Sequence, residues 1–174
     1  IELEAQVPLS PKFIVGANAT FSKNIIKDYT AYYDLYSPGY AEYLGQQEEH
    51  FDETDISFSP NLVGMASLTY MPIKNMTLNL MGKYVGKQYY DNTSNDDNSL
   101  DAYFVSNFVA GYTFDMTSVG SIDLQLVINN IFDKEYIANA WVATDKVNDG
   151  TAYVYKGLFP QATRNFMGRV TLRF

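Results

Sequence analysis

Asn165-Phe166-Met167-Gly168-Arg169-Val170-Thr171-Leu172-Arg173-Phe174 is the stretch that decides the fold. Its even positions, Phe166, Gly168, Val170, Leu172 and Phe174, are apolar, while its odd positions carry Asn165, Arg169, Thr171 and Arg173 beside Met167. Side chains along a strand point alternately to opposite faces, so this period of two makes one apolar and one polar face. Helical spacing fits it less well. The alternation recurs upstream. Ile122, Leu124, Leu126 and Ile128 alternate with Asp123, Gln125, Val127 and Asn129, and Leu78, Leu80, Gly82 and Tyr84 with Thr77, Asn79, Met81 and Lys83. Leu62, Gly64, Ala66, Leu68 and Tyr70 form a third such set, and Phe13, Val15, Ala17, Ala19 and Phe21 a fourth. The segment from Ala102 to Phe114 fits less well, because Val105 and Val109 oppose Phe104, Phe108, Tyr112 and Phe114. Seven strands are expected, at about 1–7, 12–27, 60–71, 76–90, 101–115, 121–137 and 164–174, in an all-β antiparallel meander.

The connections alternate in length. Short ones are expected at Pro8 to Pro11, Pro72 to Asn75 and Asp115 to Gly120, and long ones at about 27–59, 91–100 and 138–163. In an antiparallel meander, strict alternation puts every long connection at one end. Transmembrane β-barrels are built this way, with tight turns on one side and long loops on the other. A compact soluble sandwich has no reason to segregate its loops, and loops of this length are uncommon there.

Composition agrees. The chain of 174 residues has 20 acidic and 12 basic side chains, a net charge of −8 and no Cys. A disulfide scaffold is excluded, and an acidic chain without a basic cluster is unsuited to nucleic acid. No apolar run reaches the length of a transmembrane helix. Aromatic residues make up 16% of the chain, with 15 Tyr, 11 Phe and one Trp. Tyr84, Tyr136 and Trp141 fall at strand ends on the long-loop side, and Tyr70, Tyr112, Phe114 and Phe174 on the short-turn side. Two aromatic belts spaced by about 9–11 residues of strand are what the two interfaces of a bilayer select.

In this reading Leu62, Leu68, Leu78, Leu80, Ile122, Leu124, Leu126, Ile128, Phe166, Val170 and Leu172 face lipid. Lys83, Asp123, Gln125, Asn129, Asn165, Arg169 and Arg173 face a lumen, where charges stay solvated or paired. Gly64, Gly82, Gly168, Ala17 and Ala19 on the apolar face would leave voids in a close-packed core but are tolerable against lipid tails.

The C-terminal third carries a resemblance. Leu126-Val127-Ile128-Asn129-Asn130-Ile131-Phe132-Asp133-Lys134-Glu135-Tyr136, followed by Phe159-Pro160-Gln161-Ala162-Thr163-Arg164-Asn165-Phe166, resembles the closing motifs of TonB-dependent outer-membrane receptors, most closely the Bacteroides type. Phe58-Ser59-Pro60-Asn61 and the run from Lys83 to Asn92 are similar to later strands of the same family. The resemblance implies a barrel of about 22 strands around an N-terminal plug, of which residues 1–174 would be one incomplete C-terminal segment without plug or TonB box. It implies bacterial outer-membrane lipid, the remaining strands and plug, the TonB complex and an extracellular small ligand as partners. Siderophore-bound iron, cobalamin or a glycan would be the cargo. Phe174 would be the terminal signal read by the barrel-assembly machinery, and Asn130, Asp133 and Tyr136 would anchor strand ends. Beginning at Ile1 inside a strand, the chain is expected to be a mature or truncated piece.

No catalytic constellation can be assembled, and neither enzyme activity nor a cofactor is expected. His50 lies among Glu48, Glu49, Asp52, Glu53 and Asp55, where a metal is conceivable but a solvated charged loop is the simpler account. The run Asp91 to Asn98 alternates oxygen-bearing side chains but lacks the Gly and closing Glu of a calcium loop, so Asx-turn chemistry is preferred. Tyr29, Tyr32, Tyr33, Tyr36, Tyr40 and Tyr43, with Trp141, Tyr153, Tyr155 and Phe159, could stack on a ligand or pack together as a cap. The alternatives are a passive channel or surface adhesin on a similar barrel, and a soluble carbohydrate-binding sandwich.

Overall fold

The computed structural model describes residues 1–116 and 120–174. Seven strands form one antiparallel sheet: β1 (Glu2–Ser10), β2 (Phe13–Phe21), β5 (Leu62–Tyr70), β6 (Met76–Val85), β9 (Tyr103–Met116), β10 (Gly120–Asn129) and β13 (Asn165–Arg173). Their order in the sheet is β1-β2-β5-β6-β9-β10-β13. The gaps in numbering are filled by β3 (Ile25–Tyr36), β4 (Tyr43–Asp55), β7 (Gln88–Tyr89), β8 (Ser99–Leu100), β11 (Ile137–Val147) and β12 (Ala152–Pro160).

Register turns seven separate alternations into one surface. Val170 pairs Leu124, Leu124 pairs Tyr112, Leu80 pairs Phe108 and Leu68 pairs both Leu80 and Val15. Residues directly opposite in an antiparallel pair share a face. The apolar position of every strand, from Val7 opposite Val15 at one edge to Val170 at the other, therefore lies on the same side of the wall. No second layer covers it: Phe166 and Val170 are each 66% exposed and Leu126 is 45% exposed. A slip of one residue in any pair would carry that strand's apolar set to the opposite side.

The buried apolar residues lie elsewhere. Ala31, Val85, Tyr90, Leu100, Ala140 and Val147 sit in the second sheet or where it meets the wall, and none is in mid-wall. A two-sheet sandwich would place its core between layers, so the single-layer wall sets that alternative aside. The fold is an antiparallel β-barrel wall segment with both edge strands, β1 and β13, paired on one side only.

Three expectations need correction. The long connections at 27–59 and 138–163 are not loops but hairpins, β3/β4 and β11/β12, which join as a four-stranded sheet in the order β12-β11-β3-β4. The strands expected over 12–27 and 121–137 accordingly end at Phe21 and Asn129. The turn expected at Pro8 to Pro11 is shorter, because β1 continues to Ser10 with an irregularity between Pro8 and Ser10. Proline is tolerated there because β1 is an edge strand, where a missing N–H need not break a ladder. The connection expected at Asp115 to Gly120 has residues 117–119 outside the described residues.

The second sheet contains a topological surprise. Along the wall, the hairpin strands rising closest to each other are β4, which leads into β5, and β11, which follows β10. One descends and the other ascends, so side-by-side pairing would be antiparallel. Instead β3 meets β11 in parallel, Asp34 opposite Asp145, Leu35 opposite Lys146 and Tyr36 opposite Val147. The β3/β4 ribbon has turned over between wall and roof, in keeping with the strong twist of two-stranded ribbons. Asp28 near its base adopts φ 55°, a left-handed conformation that Asp tolerates better than most residues.

The β10–β11 junction is held by the motif singled out above. Asn130 is buried with φ 52°; its Nδ2 donates to the Lys134 carbonyl (2.8 Å), its Oδ1 accepts from the Lys134 amide (2.9 Å), and its own amide donates to Asn107 Oδ1 (2.9 Å). Asp133 Oδ1 accepts from the Arg164 amide at 2.7 Å, tying the junction to the entry of β13. Replacing Asn130 by Ala leaves these buried groups unpaired and puts an ordinary residue at positive φ. A loss of about 1–3 kcal/mol is expected, read as a lower denaturant midpoint of the assembled barrel.

Candidate functional site: the roofed cleft

The second sheet stands as a roof over the connection between β6 and β9. That connection is clamped from both sides. Ser94 Oγ accepts from the Asp55 amide and Asn92 Oδ1 from the Ser57 amide, both at 2.7 Å, at the end of β4. From the β12 side, Lys156 Nζ donates to the Asp97 carbonyl at 2.6 Å. Within the connection, Asp91 Oδ1 accepts from the Thr93 amide and hydroxyl, and Asn95 Oδ1 from the Asp97 amide. The side-chain oxygens of Asp91, Asn92 and Asn95 are thus engaged in turns and in docking to β4, and Asp96 accepts from Lys87 and Tyr89. Among the described residues no group of three His, Cys, Asp or Glu side chains is placed to hold a metal.

Between roof and connection lies a cleft of about 810 Å³. Both hairpins line it: Tyr29, Ala31, Tyr33, Asp34, Glu49 and Phe51 come from β3/β4, and Val142, Thr144, Asp145, Lys146, Val154 and Lys156 from β11/β12. Asp91, Thr93, Asn95 and Asp97 form the floor. The cleft thus combines aromatic rings, hydroxyls, amide groups and carboxylates with two ammonium groups. Lys146 joins the two hairpins across it: Nζ lies 2.7 Å from Glu49 Oε2 and 4.2 Å from the centre of the Tyr33 ring. Partial burial, then the nearby charges of Glu49 and Asp91, push the Tyr33 phenol up to about 12. It therefore remains a neutral hydrogen-bond donor over the whole physiological range.

The other face of the roof is also aromatic. Tyr40, in a 3-10 turn at the tip of β3/β4 with φ 57°, donates to Asp145 Oδ2 (3.2 Å), and its hydroxyl lies 3.3 Å from that of Tyr155. Its ring packs 4.7 Å from Tyr36 and 5.2 Å from Tyr153. Desolvation and these hydrogen bonds raise its phenol above the ordinary tyrosine value. Loop aromatics from both expected clusters therefore meet as a cap, with Tyr32, Tyr43 and Trp141 still exposed at its surface. His50 is in strand β4 rather than a loop, exposed, with Thr30 Oγ1 at 3.4 Å and Asp52 Oδ1 at 3.9 Å.

The remaining expected positions are distributed over the wall. Ile122, Leu124, Leu126, Ile128, Phe166, Val170, Leu172, Leu62, Leu68, Leu78 and Leu80 share the uncovered apolar face. Lys83, Asp123, Gln125, Asn129, Asn165, Arg169 and Arg173 share the opposite one. There Arg173 lies 2.7 Å from Asp123, and Asn129 donates to Asn165 at 2.9 Å. Tyr70 stacks on Phe13 at 4.4 Å, Phe114 meets Tyr112 at 4.5 Å, Tyr136 packs 4.4 Å from Tyr103, and Tyr84 lies opposite Gly64. Trp141 is not at the wall's rim but inside β11, in the roof. Pairwise register also shows what the one-strand reading missed: Val109 pairs Val127, and Val127 pairs Met167, an apolar row on a mixed face that also carries Val63, Met65, Met81 and Val105.

No protein-family model matches this chain, and no curated protein does. Solved structures that share its fold include three receptors. The siderophore receptor PiuA from Acinetobacter baumannii matches with a TM-score of 0.58 and 17% identity over 97% of this chain and 20% of that one. The ferric yersiniabactin uptake receptor FyuA from Yersinia pestis gives 0.56 and 15% over 96% and 22%. The ferric-catecholate import receptor Fiu from E. coli K12, in its open form, gives 0.52 and 16% over 96% and 19%. The chain spans about a fifth of the length of these receptors. The likeness is one of fold: these residues are built as a segment of β-barrel wall with hairpins above it.

Gly157 offers a direct check on the roof. A Cβ there would fall 2.0 Å from Trp141 Nε1, whereas one at Gly168 meets nothing within 4 Å. Gly157→Ala should therefore lift the indole off the sheet and red-shift its fluorescence emission, and Gly168→Ala should leave it unchanged.

Proposed function

We propose that this chain is part of the barrel wall of a TonB-dependent outer-membrane receptor, whose whole protein imports a scarce nutrient. The observation that carries this reading is the continuous, uncovered apolar face of the seven-stranded sheet. In water such a face would be an aggregation surface; against lipid it is the expected exterior of a barrel. The two one-sided edges support it further, since a sheet exposed at both edges invites pairing and a closed barrel removes the edges. Outer-membrane lipid, the remaining strands and plug, the TonB complex and the barrel-assembly machinery follow as partners. The C-terminal position and the Bacteroides-type assignment rest on the closing motifs.

A plugged importer is favoured over a passive channel by the row Val109, Val127 and Met167 on the inner face. Apolar groups there gain from contact with a packed domain and nothing from a water-filled pore. The names of the structural neighbours support a ferric siderophore as the first cargo to test. Cobalamin and glycans stay in the comparison, because the acidic balance of the hairpins favours a neutral or cationic ligand. The roofed cleft is the proposed outer ligand-facing surface. Its mix of rings and hydrogen-bonding groups serves binding rather than catalysis.

Two measurements test this reading. A strain lacking the whole receptor should fail to grow when one ferric siderophore, cobalamin or a single glycan is the only source, and planar bilayers holding the receptor should show no steady ohmic conductance. Growth on every source together with an open conductance would favour the channel. Leu124→Arg, in the middle of β10 on the apolar face, should cost about 2–4 kcal/mol of barrel stability. Gln125→Glu on the other face, directly opposite Arg169, should be close to neutral, both being read from unfolding of the receptor in lipid vesicles.

A further inference from the structure

We infer that the roof opens along the parallel β3–β11 seam, with Lys146 as its latch, and that parting this seam uncovers the cleft. The inference rests on the cleft being the ligand-facing surface. Each hairpin is zipped along its length, β3 to β4 from Ile25 opposite Asp55 up to Tyr36 opposite Tyr43, and β11 to β12 from Ile137 opposite Pro160 up to Lys146 opposite Ala152. The seam between them has only three paired positions. Local opening draws on the parts of a structure with the fewest cooperative contacts, and here that part is the boundary between the two hairpins rather than either hairpin.

The seam also carries its own opposing force. Asp34 and Asp145 stand directly in register, and like charges on neighbouring strands repel. Each is attended by hydroxyl or amide donors: Asp145 by Tyr40, and Asp34 by Tyr43 (3.5 Å) and Gln46 (3.3 Å). The charged closing contact is that of Lys146, which reaches from β11 to Glu49 of β4 and lies over the Tyr33 ring of β3. The Lys146 ammonium, with the Tyr40 hydroxyl on Asp145 and beside Tyr155, therefore bridges the hairpins against the repulsion of Asp34 and Asp145. The balance is that of a device able to close and reopen.

The chain has no cysteine, which makes the test clean within it. Asp34→Cys with Asp145→Cys places two thiols on in-register neighbours about 4.8 Å apart, within the span of a disulfide. In the purified whole receptor, acylation of Lys146 by a hydrophilic N-hydroxysuccinimide ester is followed by mass spectrometry, with exposed Lys23 as internal reference. Locking the seam should slow Lys146 acylation severalfold relative to Lys23, and reduction should restore the rate. Glu49→Gln, which frees the latch without a new thiol, should speed it severalfold. Equal Lys146 rates in the locked and reduced protein would overturn the inference, as would failure of the disulfide to form. No nutrient enters this measurement, so its failure is separate from failure of the import reading, which the growth experiment decides.

Discussion

Everything in this molecule depends on a single-layer sheet having to satisfy its backbone while offering an uncovered apolar face. Seven strands pair their N–H and C=O groups sideways, and nothing packs on the side occupied by Leu124, Leu126, Phe166 and Val170. A solvent without hydrogen-bonding capacity tolerates only structures that pair every backbone group internally. The proposed lipid setting would account for the long strands and regular ladder, and for glycine and alanine where a soluble core would need bulk. It also makes register the controlling variable, because a slip of one residue would exchange leucine for arginine on the exposed side.

The roof follows from the same strands. Once the wall strands pass its rim, the hairpins β3/β4 and β11/β12 need partners other than the wall, and they find each other. Above the rim both faces of the sheet carry rings and polar groups: Tyr29 and Tyr33 on the cleft side, Tyr36, Tyr40 and Tyr153 on the other. The buried apolar groups gather there too, with Tyr90 and Leu100 of the β6–β9 connection packed against Ala140 of β11. The wall is a single layer and the roof is packed on the β6–β9 connection, so the two parts obey different packing rules within one chain.

That difference sets how much could be read from the sequence. The wall was legible because each strand is apolar on one side and polar on the other, and β13 shows this residue by residue. The roof was not, because β3 reads Ile-Ile-Lys-Asp-Tyr-Thr-Ala-Tyr-Tyr-Asp-Leu-Tyr, with tyrosines on both faces and no contrast of period two. β4 hides in an acidic run that passes for a solvated loop, although charges on an edge strand are a familiar guard against unwanted pairing. The β3–β11 pairing lies more than 100 residues apart in sequence and depends on a ribbon turning over, which no local pattern records. The cleft inherits that limit: Tyr29, Tyr33, Glu49 and Asp91 could each be singled out, but their meeting with Lys146 could not. Within the wall, the Val109–Val127–Met167 row was visible only as a departure from alternation until register aligned it.

The most direct test of the central claim is the environment of each side chain along β10. Nitroxide labels placed singly from Ile122 to Asn129 in the whole receptor, reconstituted in lipid, report collision rates with oxygen and with a water-soluble nickel chelate. Oxygen access should rise and fall with period two, high at Ile122, Leu124, Leu126 and Ile128 and low at Asp123, Gln125, Val127 and Asn129. A flat profile, or one with the opposite phase, would contradict the assignment of this face to lipid.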